Sequence, residues 1–377
     1  MSTLPRLLGV LAGLVAGLLA ASVLERRAAA YVPPAYPEQG PLLAECAGAL
    51  DDLVIHYVPS AAAVCVPVYR EFLRQLPSDV RVHVLTPTTA DYADLVARLG
   101  PVRCQLLPVT TNHPLTCWSR DRWLALPAVQ PGKPTVLLTS REELGSELWP
   151  ERAGDQQAAA DLAAALPGRV QARRSSLAFD AGDFITDGET VFVSAQVTER
   201  NPGISRDTLI REFRALTRLP VVLLDAGPRH HAAMFMMLPG NRTALVGDPA
   251  LARRLLADAA PVPLAAPDWS ATTQAAFDSV AAACRDAGYR VTRIPVVPDA
   301  DGRTYLTYVN VILDQPAGRP CVYLPSFRDA ETLNAAAAAV WRELGFEVHP
   351  VDCTSSYRRF GNLHCLVNVL SRRPLST

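Results

Sequence analysis

Near the C-terminal end, residues Ser355 to Leu370 read SSYRRFGNLHCLVNVL and carry one thiol, Cys365, beside His364 and behind a Gly361-Asn362 turn. The run otherwise alternates like a buried strand, and a turn-to-strand junction places a side chain at the lip of a sheet. Arg358, Arg359 and His364 add positive potential, which favours thiolate and so a nucleophile. The plainer reading is a small buried hydrophobe, which is what most free cysteines are. Three other stretches carry groups suited to cation binding or proton transfer: Trp118, Arg120 and Asp121 in a Trp-x-Arg-Asp string, the turn Asp180-Ala181-Gly182-Asp183, and His231 at the head of the apolar run Met234 to Leu238. A carboxylate accepts the paired N–H groups of a guanidinium side by side. Each group also has a structural reading: Asp121 as a surface ion pair with Arg120 or Arg122, and His231 as a satisfied core residue with His230 as a rival one position away.

Taken in this order, the stretches resemble the guanidino-group-modifying (pentein) superfamily, which includes agmatine deiminases, peptidylarginine deiminases, arginine deiminases and amidinotransferases. The likeness runs from about Leu53 to Leu370. Residues Asn362 to Arg373 are most similar to the peptidylarginine deiminases, whereas Arg200-Asn201-Pro202 is more similar to the agmatine enzymes. The resemblance implies a cysteine-dependent deiminase that needs no cofactor and acts on a small guanidino compound or an arginine-containing peptide. In that scheme Cys365 attacks the central carbon and Asp121 clamps the cation. His231 protonates the leaving amine and then activates water on the covalent thiouronium intermediate. Asp180 stands where the family usually has Glu, and Asp183 where it has Asp or Asn; with Trp118 they would help to bind substrate. One departure is large. The family carries a second clamp carboxylate two residues after the histidine, and here that position is Ala233. Losing a charge-assisted contact costs about 1.5 to 3 kcal/mol, so the alternative is a deiminase-like binding domain, catalytically impaired and tethered to a membrane.

Elements must bring these scattered residues together. From Leu53 onward short β-rich runs alternate with stretches of helical period. Helices are predicted near Val66–Leu76, Tyr92–Leu99, Gln156–Leu166, Thr208–Leu216, Ala250–Ala259, Thr273–Ala287 and Glu331–Leu344, the last with Asp329 as N-cap and Gly345 as C-cap. Strands are predicted near Val54–Val58, Val80–Leu85, Thr135–Leu138, Val170–Ala172, Val221–Leu224, Val291–Val296 and Glu347–Val351. Periodicity alone indicates an α/β fold; the resemblance implies a five-bladed α/β propeller of ββαβ units, with reactive residues pointing into an axial funnel.

The 377 residues carry 36 basic and 37 acidic side chains, a net charge of −1, and show no basic footprint for nucleic acid. No Gly-rich phosphate loop is present, so no nucleotide cofactor is implied. The eight cysteines lack zinc spacing, so no metal is expected. Leu7 to Leu24 is an apolar run close to the length that spans a bilayer. It makes residues 1–30 a signal anchor or a cleaved signal peptide, followed by a proline-rich linker at 31–48 and the deiminase-like domain at 49–377. That leader would place the domain outside the cytoplasm, membrane-anchored or secreted, and Gly9, Gly13 and Gly17 would let two such helices pair as a homodimer. Disulfides are permitted in that setting, with Cys104 and Cys117 the first pair to test.

Overall fold

A computed structural model describes residues 38–143, 150–256 and 262–374. The expected leader and the first part of the proline-rich linker lie outside the described residues, and among those described no helix is long and apolar enough to cross a membrane.

The described strands form five sheets. First come β1 (Ala49–His56), α1 (Ala62–Gln75), β2 (Arg81–Thr86), α2 (Thr89–Leu99) and β3 (Gln105–Thr110), with the three strands parallel. A second unit holds β4 (Trp123–Leu126), β5 (Thr135–Thr139), α3 (Pro150–Asp155), α4 (Ala158–Ala165) and β6 (Val170–Arg174); a third holds β7 (Phe184–Thr186), β8 (Val191–Ser194), α5 (Gln196–Arg200), α6 (Arg206–Thr217) and β9 (Val221–Leu224). Next follow β10 (Met236–Gly240), β11 (Thr243–Asp248), α7 (Pro249–Leu255), α8 (Ala271–Asp286), β12 (Arg290–Pro298) and β13 (Tyr305–Thr307). The fifth set is β14 (Ile312–Asp314), β15 (Cys321–Ser326), α9 (Glu331–Glu343) and β16 (Glu347–Asp352), and the chain ends on the short helical turn α10 (Leu363–Leu366) and β17 (Val367–Arg373).

One pattern recurs in all five. A strand pairs antiparallel with the next, which then pairs parallel with a strand reached across a helix: β4-β5-β6, β7-β8-β9, β10-β11-β12 and β14-β15-β16. β17 completes the fifth by pairing antiparallel with β1, which pairs parallel with β2. The ends of the described chain therefore share one sheet, with Ile55 opposite Val367 and Ala49 opposite Arg373.

Local chemistry explains the helix starts. Thr88 and Asp91 cap each other across the first turn of α2, and the Ser205 and Ser270 side chains accept the N–H groups of Thr208 and Thr273 at the heads of α6 and α8. α6 buries Leu209, Phe213 and Leu216, whose spacing lays one apolar stripe against the sheet. α9 departs from expectation. Asp329 is not its cap: the residue has a left-handed backbone (φ 61°), Ala330 holds the N-cap position, and the Asp329 N–H instead donates to the Glu331 side chain. Gly345 sits just past the other end with φ 88°, a conformation that only glycine adopts without strain. All eight cysteines are free, so the expected Cys104–Cys117 bridge is absent; Cys104 instead sits against the Leu73 carbonyl.

Candidate active site

Four of the six sequence-selected residues occupy the same place in their units, the short turn that leads into the first strand. Asp121 ends a 3-10 turn, Ser119–Asp121, before β4, and Asp180 caps another, Ala181–Asp183, before β7. His231 precedes a third, Ala232–Met234, before β10. Cys365 lies in α10, the short helical turn that leads into β17, at the turn-to-strand junction expected of it. The junction between β13 and β14 contributes Asn310. Equivalent junctions thus converge on one cavity of about 640 Å³, whose walls include Trp118, Asp121, Asp180, His231 and Cys365.

Hydrogen bonds fix these turns to one another. Ser119 Oγ donates to the carbonyls of Val54 and Leu366, and Asn368 Nδ2 donates to the carbonyls of Ser119 and Trp123, which ties the Asp121 turn to the strand behind Cys365. Asn310 spans the other side: its Nδ2 lies 3.4 Å from Cys365 Sγ and 3.2 Å from the Ala233 carbonyl, while its Oδ1 accepts the His364 N–H at 2.9 Å. Two glycines permit close approach. A Cβ at Gly182 would lie 2.6 Å from His231 Nδ1, and one at Gly361 would lie 2.5 Å from the Trp118 ring and 3.1 Å from Cys365 Cβ. Gly182→Ala must therefore displace the imidazole. Overpacking of this kind is expected to cost about 1 to 3 kcal/mol, measured as a lower midpoint in thermal unfolding; an unchanged midpoint would mean that the turn yields freely.

His231 is the electrostatic centre. Its Nδ1 lies 3.7 Å from Asp121 Oδ1 and its Nε2 lies 3.3 Å from Asp180 Oδ2. Burial opposes charge on the ring, but the Asp121 carboxylate and hydrogen bonds to Asp180 and Cys365 prevail and hold its pKa well above the usual histidine range. The surroundings favour the protonated ring. His230, the rival, lines the same cavity, but burial and the neighbouring His231 charge push it down to about 3. Its two nitrogens are engaged, one accepting the His231 N–H and the other beside the Arg303 carbonyl.

The carboxylates differ sharply in what already holds them. Asp180 meets Arg122 at 3.0 Å, Arg152 at 2.7 Å and Arg200 at 2.7 Å. Burial works against its charge, yet Arg200 and Arg152 keep its carboxyl well below the ordinary range. Asp183 is fully buried and does not line the cavity; Arg200, the Ser194 hydroxyl and the Asp180 N–H occupy it. Asp121 is held more loosely: it is 7% exposed, lies 3.8 Å from Arg152 and 3.7 Å from His231, and its buried Oδ1 has no hydrogen-bond partner among the described residues. Burial raises its pKa, and His231 offsets only part of that. Neither predicted ion pair forms. Arg120 turns away to Glu45 at 2.7 Å, and Arg122 goes to Glu143 and Asp180.

Asp121, Asp180 and His231 offer three ligand atoms within 4.8 Å of one another. That number of donors suits a divalent cation, but a protonated ring donates rather than ligates, and Asp180 is committed to arginines. Ala233 is fully buried and outside the cavity wall. The positive neighbours expected around the thiol are fewer than the sequence suggested. Arg359 lines the cavity, but His364 faces Glu45 at 3.2 Å and burial lowers its pKa, while Arg358 reaches the Pro263 carbonyl.

No protein-family model matches the sequence, and no curated protein matches it. Solved structures do. The chain superposes on agmatine deiminase from C. jejuni with a TM-score of 0.66 at 13% identity, covering 90% of this chain and 97% of that one. Agmatine deiminase of Enterococcus faecalis gives the same score, identity and coverages. A provisionally named peptidyl-arginine deiminase gives 0.66 at 15% identity, over 88% of this chain and 98% of its own. The chain has the α/β fold of these solved deiminases.

Within this fold, the groups that the sequence did not single out include three arginines of the cavity wall and the reach of one amide. Arg152, Arg229 and Arg303 line the cavity with Arg200 and Arg359, but single arginines in an arginine-rich chain give no signal. Asn310 lies in a Tyr308-Val309-Asn310 string that does not by itself show that the amide reaches the sulfur.

Proposed function

We propose that the chain is a cysteine-dependent hydrolase of guanidino compounds, with its five units arranged as blades around the cavity in a five-bladed α/β propeller. The observation that supports this reading is Asp121, whose buried Oδ1 accepts no hydrogen bond, in the wall of a cavity that also holds a thiol and an imidazole. A buried acceptor without a donor is costly, and a guanidinium N–H supplies what it lacks. Trp118 adds an aromatic wall suited to a planar cation.

The chemistry then balances as follows. Cys365 sulfur forms a bond to the central guanidinium carbon, and the carbon–nitrogen bond breaks as His231 gives its proton to the departing ammonia. A thiouronium remains on the sulfur. Water attacks the same carbon, His231 takes back one proton, the carbon–sulfur bond breaks to return the thiolate, and the remaining hydroxyl proton passes to the released ammonia as the ureido carbonyl forms. Asp180, saturated by arginines, orients His231 rather than substrate, and Asp183 holds the turn beneath it.

Incubation with 2-chloroacetamidine followed by mass spectrometry tests the assignment. A single adduct at Cys365, together with ammonia released from a guanidino substrate, is the expected result. Labelling confined to another cysteine, or no ammonia from any guanidine, would overturn it. The reading of a binding domain without turnover draws on Ala233 and on the arginines seated against Asp180; it predicts guanidine binding with no product.

A further inference from the structure

The cavity has a polarity from floor to rim. Cys365 and Asp180 are nearly inaccessible at its floor, whereas Arg229, Arg303 and Arg359 are exposed at its mouth. Arg229 pairs with Glu199 at the surface. The Arg303 guanidinium carbon lies over the Phe360 ring, 4.0 Å from its centroid, and Phe360 itself has a left-handed backbone (φ 71°). Among the described residues, neither Arg303 nor Arg359 belongs to an ion pair.

Charge inside does not compensate. Five arginines and the protonated His231 line the cavity against two carboxylates, Asp121 and Asp180, and Asp180 is already held by three guanidinium groups. A guanidino ligand with a second cation at its far end would carry that charge out among Arg229, Arg303 and Arg359. A concave, positively charged mouth instead concentrates anions, and planar guanidinium groups fit a carboxylate or phosphate side by side.

We infer that the ligand of this cavity is a guanidino compound with an anionic far end, its guanidinium at Asp121 and its carboxylate or phosphate at the Arg303–Arg359 rim. This rests on the guanidino hydrolase reading above and narrows its substrate class. Agmatine and 4-guanidinobutanoate are the discriminating probes, because they present an ammonium or a carboxylate at nearly the same distance from the guanidino group.

Binding of each to the Cys365→Ser chain is measured by calorimetry, and ammonia release from each by the native chain. The expected result is that 4-guanidinobutanoate binds at least about tenfold tighter, with the gap narrowing as salt screens the rim. Charge reversal by Arg303→Glu with Arg359→Glu, both on exposed side chains, should abolish or invert the preference. Equal affinity, a preference for agmatine, or a preference unmoved by charge reversal would overturn the inference. If 4-guanidinobutanoate binds preferentially but neither compound releases ammonia, the hydrolase reading falls and the anion-selective cavity stands. If neither compound binds, both fall.

Discussion

Cys365→Ala should abolish ammonia release, with turnover of 4-guanidinobutanoate falling by about 10⁴-fold or more, the scale seen when a nucleophile that works as part of a unit is removed. The other thiol in the cavity wall is no substitute. Cys117 lines the same space, but burial pushes its pKa well above the ordinary thiol range, so it stays protonated and unreactive. Guanidine affinity should survive within about tenfold, because the groups assigned to binding, Asp121 and Trp118, are untouched. Single-turnover kinetics and calorimetry on the same preparation separate the two effects. Turnover that persists in the variant would remove the sulfur from the mechanism; binding lost together with turnover would make its role structural.

The second large effect is expected at Asp121. Replacing it by Asn keeps the shape but removes the one carboxylate in the cavity with an oxygen to spare. A charge-assisted contact contributes about 1.5 to 3 kcal/mol, which corresponds to roughly ten- to hundredfold in kcat/KM, and more where a buried cation is left without a counter-charge. The substitution also carries a pH signature. Asp121 is the strongest influence raising the His231 pKa, so its removal lowers that pKa. Since His231 acts here as an acid, activity is lost as pH rises through its pKa, and the alkaline limb of the rate profile must therefore move to lower pH. An unmoved limb would uncouple the two residues and undo the assignment of His231 as proton donor.

The helices were legible because each buries a stripe at a fixed period. Glu331–Leu344 was expected and Glu331–Glu343 is found, and the strand Val221–Leu224 is found as expected. The strands that open four of the units were not legible. β4, β7 and β14 have only three or four residues, and β10 is an apolar run ending in Pro-Gly, so none is long enough to show alternation. Those are the strands whose leading turns present Asp121, Asp180, His231 and Asn310. The residue types could therefore be picked out one at a time, while the device that gathers them could not. Charge fared similarly. Asp180 was expected to help bind substrate, but three arginines from separate segments, Arg122, Arg152 and Arg200, converge on it. That convergence depends on tertiary structure, which a linear pattern does not record.

The final strand has a consequence for how the molecule is made. β1 forms near the start of the described chain, but its outer edge is covered only by β17, and a strand edge left open invites pairing with other chains. During synthesis that edge stays bare until residues 367–373 clear the ribosome, a wait of more than 300 codons. The same last stretch delivers the sulfur two residues before the strand begins. A nascent chain therefore exposes that edge until residues 367–373 are made, and on the mechanism proposed above it also lacks its nucleophile until then.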